Sequence, residues 1–221
     1  MARIFITGST DGLGRAAARS LLGDGHGVVL HARSTERAST LADLASQAAG
    51  VVIGDLRSAT ETRRIAEQVN AIGRMDAVIH NAGIYTKQSR GSTPEGHADI
   101  LAVNTLAPFM LTALIERPGR LVYLSSGLHR GGEGSLRDLD RNERPWDPAR
   151  AYAESKLHVV ALASRGAGRM SSATRPIPAG CAPGWEVQAL RSIFTRDSAH
   201  RPGSPLAQSP QPRSPVVTGI R

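Results

Sequence analysis

The stretch Thr7-Gly8-Ser9-Thr10-Asp11-Gly12-Leu13-Gly14 decides the fold, because it joins a short apolar run to a segment with helical spacing, Arg3–Thr7 and Leu13–Leu22. A glycine-rich turn between a strand and a helix places backbone amides, and the positive end of the helix dipole, where a pyrophosphate can bind. The glycines carry no Cβ, so phosphates can come close to the backbone. The alternative is an ordinary tight turn, which the strand before and the helix after make less favourable.

Four more strand patterns follow, and helical patterns lie between them. The strands are expected at Val28–His31, Val51–Ile53, Ala77–His80 and Arg120–Leu124. The helices are expected at Leu41–Ala49, from Ser58 to Ile72, from Thr93-Pro94-Glu95 toward Glu116, and at Ala149–Ala163, with a long loop over Gly127–Pro148. Strands that alternate with helices, and are apolar throughout, predict an α/β fold with a doubly wound parallel sheet of the Rossmann type.

The end of the second strand bears on cofactor choice. An NAD site usually has an acidic residue there to bind the ribose diol. This chain has His31-Ala32-Arg33-Ser34 instead, which contains no acid. The Arg33 guanidinium can pair with a 2′-phosphate, so the sequence favours NADP over NAD. A solvated surface arginine is the alternative interpretation.

Tyr152 and Lys156 lie four residues apart on an expected helix and therefore on the same face. An ammonium close to a phenol, with a cationic nicotinamide beside it, would lower the phenol pKa toward neutrality. Tyr152 could then exchange a proton with a substrate oxygen. Ser125 and Ser126 follow the fifth strand, at the sheet edge where ligands bind in this architecture. Taken alone, a Tyr-x-x-x-Lys pair is more often an exposed helical face.

Together these motifs make residues 1–163 resemble a short-chain dehydrogenase/reductase, most closely the retinol-dehydrogenase-like branch. The motifs that carry the resemblance occur in the family's order: TGSTDGLG at 7–14, DL at 55–56, NAG at 81–83, Asn104 in VNTLAPF, LSS at 124–126 and YAESK at 152–156. The joint occurrence of these motifs is specific, whereas each alone is weak.

The resemblance implies a role for each matching position. The expected catalytic residues are Asn104, which would bind a relay water, Ser126, Tyr152 and Lys156. The expected cofactor-binding residues are Gly8, Ser9, Thr10, Gly12, Leu13, Gly14, Arg33, Asp55, Leu56, Asn81, Ala82, Gly83, Tyr152 and Lys156. Ser125 is the weaker choice for the family's serine. The family's chemistry needs no metal, because the hydride belongs to the cofactor.

Residues 164–221 depart from the family. They hold 8 of the 13 prolines and little periodicity, so we expect a 1–163 catalytic domain and a largely disordered 164–221 tail rich in Pro, Ser and Arg. Pro176 and Pro178 fall where a central strand belongs, which predicts a sheet truncated at its C-terminal strands and an exposed edge on the fifth or a neighbouring central strand. The residues from Arg165 onward can be encoded by synonymous codons that, when read one base out of frame, give segments resembling the family's C-terminal region. We therefore hypothesise a frameshift near residue 164.

Composition excludes several classes of protein. The net charge of +8 resides mainly in the tail, where 8 Arg face 2 acids, whereas residues 1–163 carry 19 basic and 17 acidic side chains. Such scattered arginines do not form a nucleic-acid surface. No apolar run is long enough to span a membrane, and the start lacks a signal-peptide pattern. The single Cys181 forms no internal disulfide, so a cytoplasmic protein is expected.

The leading hypothesis is an NADP-dependent oxidoreductase that interconverts a small-molecule alcohol and a carbonyl compound. The first alternative is a catalytically impaired, nucleotide-binding remnant of such an enzyme. The second is a sugar-nucleotide epimerase or dehydratase, which shares Tyr-x-x-x-Lys but needs a larger C-terminal lobe. A homo-oligomer is in doubt, because the family often associates through the C-terminal region.

Overall fold

A computed structural model describes residues 1–85, 88–167 and 216–220. Six parallel strands form one sheet in the order β3-β2-β1-β4-β5-β6. Their bounds are β1 Arg3–Ile6, β2 Gly27–Ala32, β3 Gly50–Ile53, β4 Ala77–His80, β5 Arg120–Ser126 and β6 Val216–Ile220. The expected doubly wound parallel sheet is confirmed. The strand order reverses between β1 and β4, and a ligand cleft forms at such a reversal, beyond the carboxyl ends of the strands.

Seven α-helices lie in the described part of the chain. They are α1 Gly12–Gly23, α2 Thr35–Ser39, α3 Ala42–Ala45, α4 Ala59–Ile72, α5 Asp99–Leu101, α6 Ala107–Leu114 and α7 Pro148–Ala167. A π-helical turn at Ala102–Leu106 joins α5 to α6, and a 3₁₀ turn at Gly127–Gly131 follows β5. The helix expected over Leu41–Ala49 is reduced to α3.

Hydrophobic side chains cover both faces of the sheet, as the apolar strands predict. Ile4 and Ile6 of β1 pack toward α1, with Ala18 and Leu21 among their neighbours. Phe5 points to the opposite face, into a cluster formed by side chains of α4 and α6. Burial on both faces fixes the strand register, and so the place where each strand delivers its last residues.

The Thr93-Pro94-Glu95 segment is not a helix start, contrary to expectation. The helical run begins only at Asp99, and residues 93–96 form a turn in which Gly96 N donates to Thr93 O at 2.9 Å. Glu95 instead serves a different helix, because its Oε1 accepts from Ala59 N at 2.7 Å. The helix dipole stabilises a carboxylate at the amino end of α4, which explains why Glu95 binds there.

The capping box expected at Ser58 forms in half. Ser58 Oγ accepts from Glu61 N at 3.3 Å, as an N-cap side chain should. The Glu61 carboxylate does not return to Ser58 but accepts from Asp55 N at 2.6 Å. Glu61 therefore holds the loop that carries the Asp55-Leu56 motif.

The C-terminal segment supplies a strand, which corrects one expectation. Val216–Ile220 pairs in parallel with β5, in register from Val122 opposite Val216 to Ser126 opposite Ile220. The carboxyl half of β5 is therefore not an exposed edge. This strand gives only a weak sequence signal, because it is five residues long and contains a glycine. Pro176 and Pro178, and the rest of the expected disordered tail, lie outside the described residues.

The segment between β5 and α7 is anchored to α7 by buried charges. Arg141 Nη2 lies 2.9 Å from Glu154 Oε1, and both side chains are buried. Asp138 accepts backbone hydrogen bonds from Asn142, Glu143 and Arg144, which closes a compact loop. The expected long loop is thus an ordered structure that fixes one side of the helix carrying Tyr152 and Lys156.

Candidate active site

The glycine loop is shaped by positions that only glycine fits. Gly8 and Gly12 have φ angles of +67° and +51°, in the left-handed region. A Cβ on Gly14 would lie 2.1 Å from Gly8 O and 2.4 Å from Asn81 Nδ2. The loop can therefore close against β4 only with glycine at residue 14, and the first-turn amides of α1, which have no intrahelical acceptors, face the cleft.

The loop is tied to the end of β4 by Asn81. Its Nδ2 donates to Thr7 O at 2.9 Å and to Gly8 O at 3.0 Å. The Thr7 hydroxyl accepts from Ala82 N at 3.0 Å. These bonds join the glycine loop to the Asn-Ala-Gly motif, so the two expected binding segments form one unit.

A cavity of about 430 Å³ runs along the carboxyl ends of β1 to β4. It brings together these residues named from the sequence: Gly8, Thr10, Gly12, Leu13, Gly14, Arg33, Asp55, Leu56, Asn81, Ala82 and Gly83. Ser9 is not on its lining. The Ser9 hydroxyl is buried, donates to Ile6 O at 2.7 Å and accepts from His31 N at 3.1 Å, so its contacts are internal.

Sequence reasoning missed four lining residues that carry charge or hydrogen bonds, namely Asp11, His31, Arg37 and Arg57. Arg37 donates to Thr10 Oγ1 at 3.1 Å and pairs with Asp11. Its position four residues after Arg33, between an expected strand and an expected helix, gives no sequence signal. His31 lies at the end of the second expected strand, where the family pattern directs attention to an acidic residue.

Cations are concentrated at the β2–β3 end of this cavity. Arg57 Nη2 lies 2.7 Å from Asp55 Oδ2. Burial raises the pKa of Asp55, but the hydrogen bonds and charge of Arg57 outweigh that effect and bring its pKa below the usual value. The carboxylate is therefore neutralised by Arg57, and the exposed Arg33 adds a positive charge nearby.

A second cavity of about 210 Å³ continues from the first toward α7. It shares Leu13, Asn81, Gly83 and Ile84 with the first and is completed by Tyr85, Leu124, Ser125, Tyr152 and Lys156. The glycine loop and the Tyr-x-x-x-Lys face thus lie at two ends of one path.

Lys156 is buried beneath the tyrosine. Its Nζ donates to Leu124 O at 2.9 Å and lies 5.7 Å from the Tyr152 ring centroid. Burial, which disfavours the ammonium, lowers the pKa of Lys156 to about 8. The side chain remains mostly charged at pH 7, and the sheet carbonyl fixes its direction.

The pKa of Tyr152 is raised in the cofactor-free protein, which differs from our expectation. Burial raises the pKa, a hydrogen bond with the Ser126 hydroxyl lowers it in part, and Tyr85 raises it further. The Lys156 ammonium contributes little because it is directed at Leu124 O rather than at the phenol oxygen. The phenol is therefore protonated at neutral pH.

The two serines after β5 have different roles. Ser125 Oγ donates to Lys156 O at 3.1 Å and is buried against α7. Ser126 Oγ accepts from Leu128 N at 3.3 Å and also bonds the Tyr152 phenol. Ser126 therefore contacts the Tyr152 phenol, whereas the Ser125 hydroxyl, although Ser125 lines the second cavity, is bound to the backbone of α7.

Asn104 lies in the π-helical turn and binds the backbone of Ile84, which lines the second cavity. Its Oδ1 accepts from Ile84 N at 2.7 Å, and its Nδ2 donates to Ile84 O at 2.9 Å and to Ser155 Oγ at 3.0 Å. Ile84 adjoins Gly83, at which a Cβ would lie 3.4 Å from Lys156 Nζ. The observed contacts position the chain beside Lys156, and the relay water stays a prediction.

Tyr85 and His129 were not singled out as site residues. The Tyr85 ring meets the Tyr152 ring edge-on at 4.8 Å between centroids, and Tyr85 is 63% exposed. His129 Nδ1 donates to Ser126 O at 2.5 Å and so supports the serine's backbone. Trp146 lies farther off, beside Ser155 and His158 in a small cavity behind α7.

Within residues 1–85, 88–167 and 216–220, no helix has the length and apolarity needed to cross a membrane. The same part of the chain contains no cluster of three or more His, Cys, Asp or Glu side chains suited to a metal ion.

Comparison with known proteins agrees with this geometry. The family model described as short chain dehydrogenase matches residues 2–131. An uncharacterized oxidoreductase of Emericella nidulans is 40% identical over 210 residues, which cover 94% of this chain and 79% of that protein. Short-chain dehydrogenase chyC of Penicillium rubens is 46% identical over 172 residues, 76% of this chain and 66% of that protein.

The resemblance extends to the expected branch and to solved structures. Mouse retinol dehydrogenase 14 is 33% identical over 180 residues, 70% of this chain and 52% of that protein. A metagenomic short-chain oxidoreductase solved in complex with NADP superimposes with a TM-score of 0.68 at 22% identity, covering all of this chain and 97% of the other. The matched family model and these identities establish that the chain belongs to the short-chain dehydrogenase/reductase family.

Proposed function

We propose that the chain is an NADP(H)-dependent oxidoreductase that interconverts an alcohol and a carbonyl compound. The observation that carries the proposal is the continuous path from the arginines beside Asp55 to Tyr152 and Lys156. A dinucleotide fits such a path, because its adenosine end needs the cleft over β2 and β3 and its reactive ring must reach the acid/base group.

The residues present fit a nicotinamide dinucleotide. The loop of residues 8–14 lines the large cavity, and it closes against Asn81 because Gly14 has no Cβ to collide with Gly8 O and Asn81 Nδ2. Arg33 and Arg37 line the cavity. The end of β2 carries Arg33 and no acidic residue that could bind a ribose diol. Guanidinium groups bind phosphate through paired hydrogen bonds, which supports NADP over NAD. The metagenomic neighbour solved with NADP is consistent with this choice.

When bound, the nicotinamide supplies or accepts the hydride. The chain's own residues manage the proton. In the reducing direction the Tyr152 hydroxyl donates its proton to the substrate oxygen, and Ser126 orients that oxygen by a hydrogen bond. Lys156 keeps a positive charge near the phenol, and that charge, together with a cationic nicotinamide beside it, would stabilise the phenolate left after transfer. Asn104 keeps Ile84 and Gly83 in place beside Lys156.

The first experiment measures binding and turnover of the whole chain. NADPH is titrated by the fluorescence of its reduced ring, and its oxidation is followed with a panel of aldehydes and ketones. The proposal predicts binding, turnover and a lower Kd for NADPH than for NADH. Replacing Arg33 with Ala should raise the Kd for NADPH about tenfold and leave that for NADH within about twofold, because only NADPH carries the 2′-phosphate.

The second candidate is a remnant that binds the dinucleotide without catalysis. It rests on the atypical sequence of residues 164–221, where the family places the cover of the nicotinamide. Binding of NADPH without turnover of any substrate in the panel would support this candidate over the first. The oxidoreductase proposal also includes a cytoplasmic location, small-molecule substrates, and a catalytic domain at residues 1–163 followed by a tail.

A further inference from the structure

His31 is a buried histidine directly beneath the glycine loop. It lies near the end of β2, is 2% exposed, and contacts the large cavity from below. Its ring packs edge-on against Phe5 of the central strand, with 6.4 Å between the ring centroids and planes at 83°. A neutral aromatic ring suits that place, but a leucine would fill it equally well, so its two nitrogens need an explanation.

Both ring nitrogens bind backbone groups from different segments. Gly8 N donates to His31 Nδ1 at 2.9 Å. The other nitrogen, Nε2, lies 2.9 Å from Gly54 O, and a carbonyl can only accept, so Nε2 carries the proton. The ring is therefore a neutral imidazole in one tautomer. A protonated ring would set an N–H at Nδ1 against the N–H of Gly8.

These bonds complete the restraint on the Gly8 peptide. Its N–H is held by His31, and its carbonyl accepts from Asn81 Nδ2 at 3.0 Å. The His31 backbone also accepts from Ser9 N at 3.0 Å. Gly8 is thus held from β2 on one side and from β4 on the other, in a left-handed conformation with φ of +67°.

The restraint decides what the loop offers to a phosphate. Since the Gly8 amide is used by His31 and the Ser9 amide by the His31 carbonyl, neither is available to a ligand. Gly8 therefore contributes shape, and the phosphate-binding amides are those at the start of α1. If Gly8 turned, its carbonyl would leave Asn81 and the contact of Gly14 with that carbonyl would change.

We propose that His31 is a positioning residue for dinucleotide binding, and that its unprotonated Nδ1 holds Gly8 in the conformation that opens the loop to the pyrophosphate. This inference rests on the proposed function and deepens it. The residue touches the backbone rather than the reacting atoms, so it acts through the loop.

Two amide variants separate the two nitrogens. In H31N the side-chain oxygen stands close to the place of Nδ1 and can accept from Gly8, but the bond to Gly54 is lost. In H31Q the amide nitrogen can reach Gly54, but no acceptor remains for Gly8. Loss of one hydrogen bond that leaves a buried N–H unpaired predicts about a tenfold higher Kd for NADPH in H31Q. H31N should stay within about threefold of the wild type.

Two readouts need no cofactor turnover. Gly8 amide exchange in the free protein should be faster in H31Q than in H31N, and thermal unfolding reports the general loss of stability in both. If the role of His31 were purely structural, both variants would lose stability. H31Q would then not bind NADPH more weakly than H31N, and Gly8 amide exchange would not be faster in H31Q than in H31N. In wild-type protein with ¹⁵N-labelled histidine, His31 should show a protonated Nε2 and an unprotonated Nδ1.

Several results would overturn the inference. One is equal NADPH Kd values for H31Q and the wild type, in a protein that binds NADPH. Another is an H31N variant as weak as H31Q. If the variants do not fold, the ¹⁵N measurement on the wild type decides, and a His31 protonated at Nδ1 would overturn the inference. Failure of the wild-type chain to bind NADPH at all is a different result, because it removes the proposed function and this inference with it.

Discussion

Replacing Lys156 with Met should stabilise the protein in the absence of cofactor while removing a charge that the proposed mechanism requires. Lys156 is 6% exposed, and burial lowers its pKa from 10.5 to about 8. Because the folded pKa is below the unfolded one, the unfolded chain binds the proton more tightly. The folded state is therefore least penalised above pH 10.5, loses stability as the pH falls toward 8, and keeps a constant penalty below that.

The size of the effect follows from the two pKa values. Each pKa unit corresponds to about 1.4 kcal/mol, so the penalty at pH 7 is about 3 kcal/mol. Methionine fills the space without a charge but leaves Leu124 O without its donor, at a cost of about 1 kcal/mol. Lys156→Met should thus raise the free energy of unfolding by about 2 kcal/mol at pH 7. At pH 9.5 much of the penalty is gone, and the gain should shrink to less than about 1 kcal/mol.

The assay is equilibrium denaturation in urea of cofactor-free protein at pH 7 and pH 9.5. Arg150→Met is the matched control, because Arg150 is a cation on the same helix, is 56% exposed and pairs with Glu133 at the surface. Its difference from the wild type should be below about 1 kcal/mol and should not change with pH. A Lys156→Met difference that is negative at pH 7, or equal at the two pH values, would refute the reasoning.

Three other substitutions test separate parts of the structure. His80 is buried, and burial lowers its pKa from 6.5 to about 3, so between these pH values the unfolded chain binds a proton that the folded protein does not, and stability falls as the pH falls below 6.5. His80→Phe should therefore lose about 2 kcal/mol less than the wild type between pH 7 and pH 5, measured by urea denaturation. Gly14→Ala places a Cβ 2.1 Å from Gly8 O, so the NADPH Kd should rise at least about tenfold by fluorescence titration, and unchanged affinity would contradict the loop geometry. Arg141→Met leaves the Glu154 carboxylate buried with only the more exposed Arg144 nearby and should cost about 3 kcal/mol in urea denaturation, whereas the double variant with Glu154→Gln should recover part of that loss.

The sheet could be predicted from the sequence because its strands are apolar on both faces. The five strand patterns in residues 1–163 all form strands. The helix after Ser58 was found because its cap is local: Ser58 and Glu61 contact each other within one turn. The same local rule failed at Glu95, where the carboxylate reaches a helix that begins 36 residues earlier, at Ala59.

Much of the candidate site was found because the family's motifs mark positions at strand ends. Residue identities predicted that the loop of residues 8–14, the Asn81 motif and the Tyr152 helix would meet, and they do. Sequence could not predict the role of Ser9, which is turned inward, or the contacts of His31, whose ring bonds backbone atoms of Gly8 and Gly54 in the loops after two other strands. It also could not predict that the Lys156 ammonium would be directed at a sheet carbonyl.

The frameshift hypothesis concerns residues after 163 and is decided by DNA. The Emericella relative aligns over 94% of the chain, so part of that segment aligns in the frame as it stands. Val216–Ile220 also forms a strand beside β5 in that frame. Sequencing of the coding DNA around residue 164 tests the hypothesis. An unshifted reading frame, with codons that conflict with the family-like segments, would end it.

The most direct test of the proposed mechanism is the rate of NADPH oxidation by Tyr152→Phe, with Tyr123→Phe as the matched control. Both variants lose one phenol oxygen, but Tyr123 is buried on β5, where its ring stacks on His80 and its hydroxyl bonds Thr112 at 2.6 Å. The account predicts that kcat falls at least about a hundredfold in Tyr152→Phe, the usual contribution of a positioned proton donor, while NADPH affinity stays within about threefold. Turnover in Tyr152→Phe equal to that of Tyr123→Phe would contradict it.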